Sequence, residues 1–207
     1  MFFGRGSPGA PSLEQKPHHS EKVMTVRILA LVGSLRAGSH NRQLAEAAAR
    51  HAPEGVHIDI YDGLAELPFY NEDIDTADAV PSAATRLREA VAAADAVLLF
   101  SPEYNGTLPA VLKNAIDWLS RPYGAGALQN KPTAVVGTAL GQYGGVWAQD
   151  EARKAVGIAG AKVVDTTKLA IPHSATRFAE THPQEDTEVV EGLHKVLDEL
   201  TANVPAA

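Results

Sequence analysis

The chain has 207 residues, 45% of them hydrophobic, enough for a packed core, and no cysteine, which excludes disulfides, thiolate metal sites, iron–sulfur clusters and thiol nucleophiles. Against 25 Asp and Glu stand 18 Lys and Arg, a formal charge of −7 with no basic cluster, which argues against a nucleic-acid partner. No apolar run approaches the roughly 20 residues that a membrane-spanning helix needs, and the first residues lack the apolar block of a secretory signal, so a soluble, cytoplasmic protein is expected.

Residues 1–23 are rich in Gly, Pro, Ser and His with neither period of regular structure, and read as a disordered extension of net charge +1; residues 24–207, at −8, read as one domain. Gly4, Gly6 and Gly9 match G-x-G-x-x-G by chance, since no strand precedes them and Pro8 and Pro11 oppose a following helix. Val26 to Val32 is apolar apart from Arg27, as a strand buried on both faces should be. Asn41 to His51 reads as a helix with Leu44, Ala45 and Ala48 inward, and the alternation of Val56 to Tyr61 as a strand nearer the sheet edge. Pro81 to Ala94 is helical, Ala96 to Phe100 a second buried strand, and Leu112, Ala115, Ile116 and Leu119 mark a helix opened by Pro109. Within that helix Asp117 and Trp118 take a structural role beside the buried stripe. Thr133 to Thr138 is a strand, Ala148 to Ala159 a helical stripe, Lys162 to Thr166 or a little beyond the fifth strand, and Val189 to Leu200 a closing amphipathic helix.

Five strands alternating with helices predict an open, doubly wound α/β domain, in which ligands bind beyond the carboxyl ends of the strands at the switch point. The informative residues should therefore follow Val32, Phe100 and Thr138. After Val32, the run Gly33 to Asn41 sets Ser34, Arg36, Ser39, His40 and Asn41 around a helix N-terminus, which suits an anion. Ser39 and His40 stand where a triphosphate-binding loop has Lys and Ser/Thr, so a terminal monophosphate fits better. The same residues also read as an ordinary capped helix, with Ser39 or Asn41 as N-cap and Arg36 in solvent. Pro102, Glu103, Tyr104, Asn105 and Gly106 form a rigid turn that can set main-chain groups along a flat heterocycle, with Tyr104 either stacking or half-buried in the loop. Gly141, Gln142, Tyr143, Gly144 and Gly145 make a third loop whose glycines permit close approach to a planar ligand.

In GSLRAGSHN, LPFYNEDID (67–75), SPEYNGTLPAVLKNAIDWLSRP (101–122) and GQYGGVWAQ (141–149), the chain resembles the NADPH-dependent FMN reductases, flavodoxin-like flavoproteins that include quinone, chromate and azo-dye reductases. The resemblance spans roughly residues 24–200. It implies a five-stranded parallel sheet of flavodoxin order with helices on both faces, bound FMN, NADPH or NADH as cosubstrate, and a homodimer, with a tetramer as the alternative. By position it implies that Ser34, Arg36, Ser39 and Asn41 hold the FMN phosphate, and that the 102–106 and 141–145 loops line the isoalloxazine. Trp147 stands where many members of the family have an Arg, so no choice between NADPH and NADH is implied. Chemistry of this kind is carried by the flavin, so no catalytic side chain and no metal are expected, and ping-pong transfer to a quinone, azo compound, nitroaromatic, free flavin or metal oxyanion follows. The rival reading is an FMN-binding electron shuttle or flavin sensor that does not oxidise nicotinamide.

Overall fold

A computed structural model describes Met1 and residues 25–205. The extension expected over 1–23, with its chance glycine motif, lies outside the described residues apart from Met1. Four strands, β1 (Val26–Val32), β2 (Val56–Tyr61), β3 (Ala96–Phe100) and β4 (Pro132–Thr138), run parallel in the order β2-β1-β3-β4. The apolar runs account for this order. All five residues of β3 and all seven of β4 are buried, whereas β2, with its polar alternation, has one neighbour and keeps one fully buried position. Two strands share the far side of β4: β5 (Lys162–Val163) beside Pro132 and Thr133, and β6 (Leu169–Ile171) beside Val136 to Thr138. This is the doubly wound, flavodoxin-like sheet expected.

Among the described residues six α-helices pack on the two faces: α1 (His40–Arg50), α2 (Ser82–Ala93), α3 (Ala110–Leu119), α4 (Val146–Ile158), the short α5 (Ser174–Arg177) and α6 (Thr187–Ala202). Period-two alternation divides the strand side chains. Ile28, Ala30, Val32, Leu98 and Phe100 face α1 and α6, while Leu29, Leu31, Val97 and Leu99 face α2, α3 and α4. The helical stripes lie within a residue or two of their expected bounds.

The fifth strand differs from the expected Lys162 to Thr166, because it is interrupted. The Glu199 carboxylate on α6 accepts from the amides of Thr166 (3.0 Å) and Thr167 (2.7 Å), drawing them off the ladder. The Val135 carbonyl accepts instead from Nη2 of Arg153 on α4, at 2.7 Å. Arg153 is buried there, and burial depresses its pKa against the favourable charge of Asp150. The short α5 and the Arg177–Asp186 pair (2.6 Å) organise the stretch that follows β6.

Candidate functional site

Beyond the carboxyl ends of β1, β3 and β4 the three loops meet, and their glycines set how closely. At Gly33 a Cβ would stand 2.8 Å from Pro109 Cγ and 3.1 Å from Pro102 Cδ, so the first loop lies directly against the second. At Gly137 it would stand 2.1 Å from the Ser101 carbonyl oxygen, and at Gly144, which has φ +63°, 2.6 Å from the Ala170 carbonyl carbon. Only glycine permits these crossings without backbone movement.

The first loop turns back at Ser39, whose amide donates to the Arg36 carbonyl (3.1 Å). The Ser39 hydroxyl accepts from the Arg42 amide (3.2 Å), capping α1. Arg36 is exposed and forms no ion pair with the described residues, whereas neighbouring Arg42 is held by Glu46 and Asp62. A cavity of about 400 Å³ opens beside Ser34, Arg36 and Asp62. His40 begins α1 half-buried, its ring 5.7 Å from Phe178 in an edge contact. Burial, and then the Arg36 charge, hold its pKa below the ordinary histidine value, so it resists protonation. Asn41 is engaged elsewhere. Its Nδ2 donates to the Thr138 carbonyl (2.9 Å) and its Oδ1 accepts from the Thr138 amide (3.0 Å), with both residues buried, so the side chain staples α1 to the end of β4.

In the second loop Pro102 is buried and Tyr104 pairs with Thr107 through two hydrogen bonds (3.1 and 3.2 Å) across Asn105 and Gly106. Both of those residues have positive φ (54° and 76°), the primed turn that Asn-Gly favours. The Glu103 carboxylate accepts from the Ala148 amide (3.2 Å), occupying a donor at the α4 N-terminus, and the Thr107 hydroxyl bonds to Glu151. These two contacts clamp the second loop to α4. The third loop closes where the Gly144 amide donates to the Gly141 carbonyl (3.2 Å). Gly144 and Gly145 are buried, while Gly141, Gln142 and Tyr143 are exposed.

A fourth support is absent from the residue reading. Asn114 and Trp118, one turn apart on the buried face of α3, both donate to the Pro68 carbonyl (2.9 and 2.8 Å), and Asn114 also accepts from the Tyr70 amide (2.8 Å). Arg88 grips Asp75 with two bonds of 2.8 Å, donates to the Trp118 carbonyl and lies over the Trp118 ring, fixing the 67–75 segment. The i, i+4 spacing of a polar residue and a Trp on an otherwise apolar face is the signal for it. The structural role expected of Trp118 follows from these contacts.

The site thus offers one uncommitted guanidinium, two hydroxyls and the start of a helix for a phosphate, and two rigid main-chain loops with exposed aromatic side chains for a flat ring. These groups fit FMN in kind: an anionic end, a planar end and no need for a metal. A family model described as NADPH-dependent FMN reductase matches residues 26–176. A 2-hydroxy-1,4-benzoquinone reductase of Burkholderia sp is 38% identical over 155 residues, 75% of this chain and 83% of that protein. A quinone reductase of Pseudomonas putida is 44% identical over 129 residues, 62% and 68% of the two chains. The structure of FerB, a flavoenzyme NAD(P)H:(acceptor) oxidoreductase from Paracoccus denitrificans, matches with a TM-score of 0.76 at 28% identity, over 86% of this chain and 99% of that one.

Proposed function

The chain belongs to the NADPH-dependent FMN reductase family, and from that premise we propose how its own residues serve NAD(P)H-dependent, FMN-mediated reduction of a quinone. It is an FMN-dependent oxidoreductase that draws electrons from NAD(P)H. The observation that carries the site assignment is Arg36, a cation without an ion-pair partner among the described residues, beside the start of α1. Arg36, the Ser34 and Ser39 hydroxyls and the first amides of α1, at His40 and Asn41, hold the FMN phosphate. The Asn41 side chain acts at one remove, holding α1 to β4. Pro102, Glu103, Tyr104, Asn105 and Gly106 run along one edge of the ring system, and Gly141, Gln142, Tyr143, Gly144 and Gly145 form the third wall.

Bound FMN supplies a centre that accepts a hydride from nicotinamide and passes two electrons to an acceptor. The chain's part is to orient and to exclude. The clamped second loop and the glycine-tight third loop would orient the ring, and those of their amides that make no bond within the loops would serve as donors to negative charge on it. Glu103 is spent on the α4 N-terminus, so it is no proton donor. The acceptor would take the place that nicotinamide leaves, and overall NAD(P)H, a proton and quinone yield NAD(P)+ and hydroquinone. Azo, nitro, free-flavin and chromate-like acceptors are further candidates for that place.

The chain works as a homodimer. Support comes from a cleft of about 570 Å³ between α3 and α4, lined by Leu108, Ile116, Ala155 and Ile158 and rimmed by Lys113, Asp117, Glu151 and Lys154. Ile158 and Tyr123 there are 77% and 91% exposed, surface that a second copy would cover. No described helix is long and apolar enough to cross a membrane.

The test is anaerobic. Purified protein should be yellow, bleach on NADPH or NADH, and regain colour on quinone, with parallel double-reciprocal plots. Yellow protein that neither nucleotide bleaches would mark the shuttle or sensor reading, and intersecting plots would refute the shared place.

A further inference from the structure

Tyr143, part of the third wall, packs at the mouth of that loop against Trp147, which neither phosphate binding nor the ring-edge loop uses. Tyr143 and Trp147 stand four residues apart across Gly144 and Gly145, with ring centroids 5.1 Å apart and planes inclined by 56°. Each is about half exposed, 55% and 52%. Large rings packed on one another at a surface leave apolar area uncovered, and such area marks a contact for a ligand or partner.

The pair rests on fixed elements. Gly144 is wedged against Ala170, the Ala148 amide next to Trp147 is held by Glu103, and Glu151, one turn further along α4, is bonded to Thr107. Those bonds bring the Tyr104 hairpin alongside the start of α4, and Tyr104 is itself 50% exposed. Neither 101–109 nor 139–149 contains a Lys or Arg. The mouth therefore presents ring surface and no cation from these two loops.

We propose that Trp147, braced by Tyr143, is the acceptor-selecting wall of the site, stacking on fused-ring quinones so that two-ring acceptors are favoured over one-ring quinones and over oxyanions. This rests on the FMN reductase reading, which it deepens by naming the acceptor class. On this proposal the second ring of a bicyclic quinone meets the indole, whereas a single ring has none to offer once it lies on the flavin. An oxyanion gains nothing from an aromatic wall and finds no guanidinium on it.

The experiment compares FMN-loaded wild type, Trp147→Ala and Trp147→Phe with 1,4-naphthoquinone and 1,4-benzoquinone. Trp147→Ala should raise KM for naphthoquinone about three- to tenfold, the equivalent of losing one aromatic contact, and KM for benzoquinone at most about twofold; Trp147→Phe should recover most of the difference. Independently of turnover, the Kd of redox-inert 2-naphthol for the oxidised holoenzyme, read from the flavin absorption band, should weaken by the same factor in Trp147→Ala. An unchanged ratio between the two quinones, or unchanged naphthol binding, overturns the proposal. Wild-type protein that fails to take up FMN or to bleach with NAD(P)H would instead overturn the reductase reading itself.

Discussion

Replacing Asn41 separates holding the cofactor from holding the loops. In Asn41→Ala the amide and the carbonyl of Thr138 both lose their side-chain partner, at a residue only 2% exposed. Each buried group left unsatisfied costs roughly 1–3 kcal/mol, so the pair should cost about 2–6 kcal/mol, a large share of the ~5–15 kcal/mol that stabilises a domain. Asn41→Asp makes the comparison sharper. One carboxylate oxygen still accepts from the Thr138 amide, but the other faces the Thr138 carbonyl, acceptor against acceptor. Only the protonated acid restores the donor, so folding raises the pKa of that Asp. Its destabilisation is then complete above the raised value and relieved as pH falls toward the unfolded one. Urea unfolding followed by circular dichroism on FMN-free protein, at about pH 8 and about pH 5, reads all three chains. The Ala deficit should be similar at both, and the Asp deficit smaller at the lower pH. An Ala variant within about 1 kcal/mol of wild type that nevertheless loses FMN would refute the staple and make Asn41 a phosphate ligand.

Arg36→Ala should weaken FMN binding about 10- to 100-fold in a flavin-fluorescence titration, the loss of one or two charge-assisted hydrogen bonds, and an unchanged Kd would remove Arg36 from the site. The Arg88 guanidinium bonded to Asp75 holds that carboxyl below its usual range, so the pair's contribution is present above the ordinary carboxylate pKa and lost as pH falls through the depressed value. Asp75→Asn should accordingly cost roughly 1–3 kcal/mol at neutral pH, with the gap to wild type in melting temperature closing in acid. Gly137→Ala drives a Cβ onto the Ser101 carbonyl and should cost about 3 kcal/mol or more, whereas Gly141→Ala, with nothing within 4 Å, should melt close to wild type. Equal melting temperatures would show that the close approach of β4 to the second loop is unimportant.

The strands were legible where burial is two-sided. The apolar runs at 26–32, 96–100 and 133–138 lie in the sheet interior, and the alternating 56–61 segment lies at its edge, as its polar positions require. The 162–166 segment looked equally continuous, yet its interruption depends on Glu199 and Arg153, partners that no local pattern reveals. Residue type also underdetermined use at the site. Asn41 reads as a cap or a ligand from its position before a helix, and its actual bond lies 97 residues away. Glu103 reads as a ring-edge residue, and its carboxylate sits on the first turn of α4. The three loops were identifiable because each follows a buried strand; which side chains remain free within them depends on the folded neighbours.

The broken fifth strand also bears on how the molecule behaves in a crowded solution. A sheet margin invites another chain to add a strand wherever several consecutive main-chain groups stand free. On the β4 side an incoming segment would meet two residues at Lys162 and Val163, then a loop pinned by Glu199, then three residues from Leu169. At the opposite margin β2 carries Asp59, engaged by both His57 and Arg27, which sets charge along that strand. Both rims of the sheet are therefore poor templates for fibre growth, one because its register cannot be followed and the other because it is charged.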